Sequence, residues 1–164
     1  MQGKVTGLIA SGVNPAMLAR GIANFSNTCA RYGIARVCAM DGNEDVKNDI
    51  LTSLLIFIAG RMDIGVRLFP QYINVERAGK MRRHLRHPRV GGCGAWELDG
   101  SVGSKSAAFP VPYKDGSQGH CYYSDETVSA KLRQALESGM QPSAHAIGET
   151  AIDQLCNAYS EHEL

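Results

Sequence analysis

The segment Ser143-Ala-His-Ala-Ile-Gly-Glu149 places a histidine at the end of a short apolar run, directly before the start of a helical pattern. A strand followed at once by a helix is typical of α/β folds. In such folds, a histidine at the carboxyl end of a strand occupies a usual position for a catalytic metal ligand. His145 is therefore a candidate metal ligand.

The chain upstream of this segment alternates between helical and strand-like patterns. Asn14 and Pro15 are suited to begin a helix, and Gly33 is suited to end it. Further helices are predicted over 44–59, 75–86, 125–139 and 149–160, with strands over 34–40, 65–69, 90–98 and 140–146. This alternation predicts an α/β fold, a parallel sheet with outer helices.

The spacing of apolar residues predicts which faces are buried. One face of the first helix carries Leu18, Ile22, Phe25 and Cys29, and the final helix is expected to bury Ile152, Leu155 and Tyr159. The strand over 34–40 is predicted to be buried. Pro142 disfavours a central position for the last strand, because proline cannot donate to the ladder.

Composition sets limits on the class of protein. The 164 residues suffice for a single α/β domain over 1–164. The 17 basic and 16 acidic residues give no bulk charge that would favour nucleic acid or a membrane surface, and the basic segment 82–89 is interpreted as a solvated helix face. The five cysteines form no Cys-x-x-Cys pair, and the apolar run 54–59 is far shorter than the ~20 residues of a membrane span. A soluble, cytoplasmic protein is expected.

A long segment over 99–124 is rich in glycine, serine and proline and has little periodicity. Inserted loops of this length more often have a function than not, and a substrate-covering loop is the preferred interpretation. Glu97 and Asp99 are two residues apart, so in a strand they would share a face, and if that face looks into a barrel mouth they could supply a general acid or base. The alternative is a solvated loop acid beside an acid at the end of a strand.

Several ordered motifs resemble the third amidohydrolase family, a branch of the amidohydrolase superfamily. That family shows Asp-Gly-Ser-x-Gly-Ser-[Arg/Lys]-[Thr/Ser]-Ala-Ala, Pro-Tyr-x-Asp, a glycine, Ala-x-x-x-Gly and His-Ala-Ile-Gly-Asp-x-Ala. The matching segments here are 99–108, 112–115, Gly119, 135–139 and 145–151. Upstream, the segment 32–41 is similar to the Gly-Ile-Thr-[Ser/Thr]-Val-x-Asp strand of the family.

The resemblance implies a TIM-barrel hydrolase in which a divalent metal, zinc by expectation, activates water against the C–N bond of an amide or cyclic amide. His145 would then hold the metal, and Asp99 would be a catalytic residue. Ser101, Lys105 and Tyr113, which lie in the 99–124 loop, would line the pocket for a small-molecule amide-type substrate.

The chain departs from the family pattern in ways that suggest two hypotheses. Ala95 stands where many members carry a lysine, Glu149 replaces an aspartate, and the His-x-His pair, a later histidine and the final aspartate have no counterparts. Since a complete (β/α)₈ barrel needs roughly 250 residues, the chain is expected to be an interior slice of about half a barrel. Under the first hypothesis, a complementing chain or the rest of a longer protein supplies the missing ligands. Under the second, the chain is a non-catalytic remnant that acts as a homo-oligomer or binding module, because open sheet edges favour self-association.

Overall fold

The computed structural model of the chain describes residues 14–41, 57–58, 61–72, 74–75 and 88–162. The elements in chain order are α1 (Pro15–Arg31), β1 (Arg36–Asp41), β2 (Gly65–Pro70), β3 (Arg89–Glu97), α2 (Asp125–Glu137), β4 (Gln141–His145) and α3 (Glu149–Ser160). The helices predicted over 44–59 and 75–86 lie largely outside the described residues, although 57–58 and 75 are helical. The basic segment 82–89 is described only at its last two residues.

The chain divides into two compact units. The first comprises 1–38 and 57–67, and the second comprises 39–56 and 68–164. Strands β1 and β2 pair in one two-stranded sheet, and β3 and β4 pair in another. The parallel pairing of β3 with β4 agrees with the predicted parallel sheet.

Helix α1 of the first unit begins and ends where the sequence predicts. The side chain of Asn14 accepts a hydrogen bond from the backbone N–H of Met17 at 2.9 Å, and Gly33 follows the helix with φ 71°. The predicted buried face was wrong at Phe25, which is 48% exposed. Ser26 and Cys29 are buried. At about 100° per residue, Phe25 lies about 40° from Cys29 and about 100° from Ser26, so it stands at the margin of the covered side.

Strand β1 forms, but the prediction that it is buried was wrong. Val37 and Ala39 are half-buried, whereas Arg36, Cys38 and Met40 are exposed. Side chains of a strand alternate between its two faces, so only one face of β1 is partly covered.

The core of the second unit lies between the β3–β4 pair and the helices α2 and α3. Ser124 begins α2 by accepting a hydrogen bond from Thr127 N–H at 3.3 Å, and the helix buries Val128 and Leu132. Trp96 is buried beside them. Its indole N–H donates to the carbonyl oxygen of Tyr72 at 2.7 Å, which satisfies the one polar group of the side chain.

Helix α3 has the predicted bounds but presents a different face. It buries Ala151, Gln154 and Ala158, while Ile152 is 44% exposed, so the prediction that Ile152 is buried was wrong. The two alanines allow the helix to approach the core closely, and Leu155 and Tyr159 pack half-buried at its side. None of the described helices is long and apolar enough to cross a membrane.

Strands β3 and β4 pair in a register that changes once. The pairs run in step from Arg89–Gln141 to Gly92–Ala144, and the next pair is Glu97–His145. Four residues of β3, 93–96, are therefore inserted opposite a single step of β4, as in a large β-bulge. The bulge lies beside His145, at the carboxyl ends of both strands.

Candidate functional site

His145 is the last residue of β4 and is half-buried at the carboxyl end of the strand. Its backbone carbonyl accepts a hydrogen bond from Leu98 N–H at 2.9 Å, which joins the ends of β3 and β4. The imidazole Nε2 lies 3.1 Å from the carbonyl oxygen of Gly100. The side chain therefore faces the start of the 99–124 loop, and both lie at one end of the strand pair.

Asp99 is completely buried and bridges three segments of backbone. Its Oδ2 accepts hydrogen bonds from Ala108 N–H at 2.8 Å and Gly148 N–H at 2.7 Å, and its Oδ1 accepts one from Ile147 N–H at 2.9 Å. A buried carboxylate is tolerated when several donors compensate for its lost hydration. The carboxylate also lies at the N-terminal end of α3, where the helix dipole favours negative charge.

Glu97 and Asp99 do not lie together within a strand. Strand β3 ends at Glu97, and Asp99 lies beyond that end, where the chain already turns into the loop. Glu97 is half-buried, whereas Asp99 is fully buried by its contacts with the loop and with the turn after β4. The two carboxylates therefore have different environments.

The 99–124 loop contains turns and bends but neither helix nor strand. It is nevertheless tied closely to its surroundings. Ala108 donates to Asp99 and accepts a hydrogen bond from Thr150 N–H at 3.0 Å, in the first turn of α3. A Cβ atom placed on Gly148 would lie 2.1 Å from the carbonyl oxygen of Ala108, so this approach requires a residue without a side chain.

Ser101 and Lys105, two predicted pocket residues, lie in one exposed turn that directly follows Gly100, whose carbonyl oxygen contacts His145. Ser101 Oγ is 2.8 Å from Ser104 Oγ, which is 2.6 Å from Ser106 Oγ, so three hydroxyls form a connected chain. Lys105 adopts a positive φ of 58° and its ammonium group pairs with Asp115. The Lys105 ammonium, together with the Ser117 hydroxyl, lowers the pKa of the Asp115 carboxyl.

Tyr113, the third predicted pocket residue, is held within the loop. Its hydroxyl donates to the carbonyl oxygen of Ala107 at 3.1 Å, and its ring meets Phe109 edge-on with centroids 5.7 Å apart. The contacts of Tyr113 therefore stabilise the loop from inside.

A separate polar cavity of ≈ 540 Å³ lies between the start of α2 and the exposed side of α3. Asp125, Glu126 and Asp153 contribute carboxylates to its lining. Burial raises the pKa of the Cys121 thiol at its edge, and the charges of Asp99 and Asp125 add to that effect. None of the predicted site residues lines this cavity.

The ligand set for a metal is incomplete in the part of the chain that the structure describes. There, no three His, Cys, Asp or Glu side chains converge on one point. Cys93 lies in the bulge of β3, and its thiol, a group that can bind metals, approaches His145. The Sγ atom of Cys93 is 3.9 Å from Nδ1 of His145. Sequence reasoning missed Cys93, whose only signal is its place among the glycines of 91–94.

A sequence model described as the amidohydrolase family matches residues 2–163. The chain is similar to the putative amidohydrolase YtcJ of Bacillus subtilis (strain 168), with 36% identity over 66 residues. That alignment covers 39% of this chain and 12% of YtcJ.

Two solved structures resemble the fold. One is an uncharacterized metal-dependent hydrolase from Pyrococcus horikoshii OT3, with a TM-score of 0.60 and 19% identity over 83% of this chain and 28% of that protein. The other is an uncharacterized metal-dependent hydrolase from Pyrococcus furiosus, with a TM-score of 0.60 and 21% identity over 83% of this chain and 29% of that protein. The chain thus spans less than a third of each protein that it resembles.

Proposed function

The chain belongs to the amidohydrolase family, and we propose that it forms part of the barrel of a metal-dependent hydrolase. We infer that the assembled enzyme cleaves the C–N bond of a small amide or cyclic amide. In this proposal β3 and β4 are neighbouring barrel strands, and α2 and α3 are the outer helices that follow them.

The position of His145 carries the proposal. It ends β4 beside the Gly100 carbonyl, at the edge from which the 99–124 loop departs. In α/β barrels the active site lies at the carboxyl ends of the strands, and it is built from the loops that follow them. His145 and this loop have the relationship expected of a metal ligand and a substrate-covering loop.

The described residues do not fit a complete catalytic metal site on their own. Such a site for zinc takes three protein ligands, whereas no three His, Cys, Asp or Glu side chains converge within the described part of the chain. The Cys93 thiol lies 3.9 Å from His145 Nδ1. We therefore propose that the other ligands come from outside the described residues, either from a longer protein or from a complementing chain.

Within this proposal, Asp99 acts as a positioning residue. Its two oxygens are already engaged by three backbone N–H groups, which hold the loop against the turn that follows His145. Ser101 and Lys105 are exposed at the loop surface, and in this proposal their hydroxyl and ammonium groups, which pair with Ser104 and Asp115, also bind polar groups of a substrate. Tyr113 maintains the loop conformation.

A non-catalytic module is the second candidate. It is favoured by the incomplete ligand set in the described part of the chain and by exposed apolar side chains on α1 and after it, with Tyr32 79% exposed. A module of this kind would associate with copies of itself or bind another protein.

The test uses the chain purified in its native assembly from cells supplied with zinc and without chelators. Native mass spectrometry gives the assembly, elemental analysis gives the zinc per chain, and amine release from a panel of linear and cyclic amides gives the activity. The variant is His145→Ala. The matched control is His120→Ala, which replaces an exposed histidine of the 99–124 loop.

We expect the wild type and His120→Ala to hold zinc and release amine, and His145→Ala to lose both. Amine release that survives in His145→Ala would contradict the proposed role of this residue. A metal-free assembly that releases no amine would instead support the non-catalytic module.

A further inference from the structure

We propose that Cys93 and His145 form a two-residue site that binds a divalent cation of borderline softness, Zn²⁺ or Co²⁺. The two residues are 52 positions apart in sequence, and their Sγ and Nδ1 atoms lie 3.9 Å apart. Thiolate sulfur and imidazole nitrogen are the ligands that such cations prefer. The site shares His145 with the proposed function but concerns binding of the cation alone.

The backbone of β3 places the thiol beside the imidazole. Gly91 has φ 108°, and a Cβ atom there would lie 1.9 Å from the carbonyl oxygen of Ser143, so the two strands approach as closely as their backbones allow. Immediately afterwards the register shifts between Gly92 and Glu97. Cys93 is therefore the first residue of the bulge, next to the end of β4, and it is exposed to solvent and to ions.

The hydrogen bond on the other side of the ring prepares His145 for coordination. The Gly100 carbonyl oxygen can only accept, so the Nε2 atom 3.1 Å away carries the proton and donates it. Nδ1 then has a free lone pair on the side of the Cys93 thiol. Metal-binding histidines usually donate their second ring N–H to a carbonyl or carboxylate in this way, which fixes the tautomer and the ring orientation.

The separation of the two donor atoms fits one tetrahedral ion. Bonds of about 2.3 Å to sulfur and about 2.0 Å to nitrogen at a tetrahedral angle hold the donors roughly 3.5 Å apart. The observed 3.9 Å needs a closure of about 0.4 Å, which a small side-chain rotation supplies. When the ion binds, the thiol proton leaves to solvent. Water fills the remaining coordination positions, so the ion is held less tightly than in a structural zinc site.

The first test is a titration of the full chain with Co²⁺, monitored by its absorption spectrum. A Co²⁺–thiolate bond gives a charge-transfer band in the near ultraviolet, which nitrogen and oxygen ligands do not give. Wild type is compared with Cys93→Ser, Cys93→Ala and His145→Ala, and with the control Cys156→Ser, an exposed cysteine on α3. Circular dichroism of each protein checks that it is folded.

We expect the band to saturate near one Co²⁺ per chain in wild type and in Cys156→Ser. It should be absent in both Cys93 variants. In His145→Ala we expect the affinity to fall at least about tenfold, the usual cost of removing even an outer-shell partner. A wild type without the band, or a band that persists in the Cys93 variants, overturns the site.

A second measurement needs no variant. In ¹⁵N spectra of the imidazole groups, we expect Zn²⁺ to shift the Nδ1 resonance of His145 while Nε2 keeps its proton. A shift of Nε2 instead, or no shift at His145, overturns the site. Both measurements detect cation binding and do not depend on catalysis. A failure to find amide hydrolysis therefore leaves the two-residue site intact, and a failure to find the site leaves the proposed hydrolysis intact.

Discussion

The 99–124 loop and the helix α1 differ in the contacts that hold them in place. The loop contains no helix or strand, yet Ala107, Ala108 and Gly119 within it are buried and Asp99 has no exposed surface. Helix α1 is regular over 17 residues, yet Phe25 and Tyr32, on it and directly after it, are largely exposed. Regular secondary structure and burial are therefore separate properties here.

The physical reason is the buried carboxylate. Three backbone N–H groups from two distant segments converge on Asp99, so the loop and the turn after β4 are held by charge-assisted hydrogen bonds. In α1 the polar groups of the backbone are satisfied within the helix itself. The loop thus depends on side-chain hydrogen bonds, three of them to Asp99, whereas the interior of the helix is ordered by its own backbone hydrogen bonds.

Replacing Asp99 should have the largest effect. Asp99→Ala leaves three N–H donors without a partner, those of Ala108 and Gly148 buried and that of Ile147 part-buried. Because an unsatisfied buried donor costs about 1–3 kcal/mol, we expect the unfolding free energy to fall by roughly 4 kcal/mol. The unfolding free energy of Asp99→Asn should lie between those of wild type and Asp99→Ala, since the single carbonyl oxygen of asparagine cannot accept all three hydrogen bonds. Urea denaturation measures both. The control is Asp115→Asn, an exposed acid of the same loop, and an equal loss in that variant would contradict the assigned role of Asp99.

Gly148→Ala tests the close approach between the loop and α3. The added methyl group would lie 2.1 Å from the Ala108 carbonyl oxygen, so the backbone must shift, at a cost of about 2 kcal/mol or more. Gly103→Ala is the matched control, because no atom lies within 4 Å of its Cβ position. We expect that control to change stability by less than about 0.5 kcal/mol. Similar melting temperatures for the two variants would show that the contact is not tight.

Tyr159→Phe tests the regular part of the same unit. The hydroxyl donates to the Pro142 carbonyl at 2.9 Å and ties α3 to β4, so its loss should cost about 1 kcal/mol. Burial raises the pKa of Tyr159 above its ordinary 10.0. The stability from the protonated hydroxyl is therefore complete below pH 10.0 and is lost as pH rises through the folded-state pKa. As pH rises through the alkaline range, the unfolding free energy should fall less in Tyr159→Phe than in wild type. An identical pH dependence in the two proteins would contradict the burial of the hydroxyl.

Phe25→Ser should have the smallest effect. The side chain is 48% exposed on α1, and exposed positions away from special contacts usually change stability by less than about 0.5 kcal/mol. Leu132→Ala in α2, where the side chain is buried, should cost about 2–5 kcal/mol. A Phe25→Ser protein as unstable as Leu132→Ala would show that α1 is covered at this position.

The sequence predicts the regular elements better than their environment. Asn14, Ser124 and Gly33 mark helix ends through local hydrogen bonds and backbone conformation, and these depend on few neighbours. The exposure of Phe25 and Ile152 depends on which side of each helix is covered, and periodicity alone cannot determine that. His145 could be located at a strand end, because a strand-to-helix pattern surrounds it.

The environment of the candidate site was less predictable. Asp99 was expected to be a catalytic residue, and nothing in the sequence indicates which backbone N–H groups will surround it. The proximity of Cys93 to His145 depends on a bulge whose size follows from the pairing of two strands. Both features arise from contacts between segments about 50 residues apart, which local patterns do not record.

The amide protons of Ala108, Ile147 and Gly148 test most directly whether Asp99 organises the candidate site. Their exchange with deuterium can be followed by NMR at neutral pH. We predict that these three protons, although outside helices and strands or at their edge, exchange as slowly as those of the α2 core, and that Asp99→Asn accelerates at least one of them. Exchange at the rate of an open loop in the wild-type protein would contradict the role assigned to Asp99.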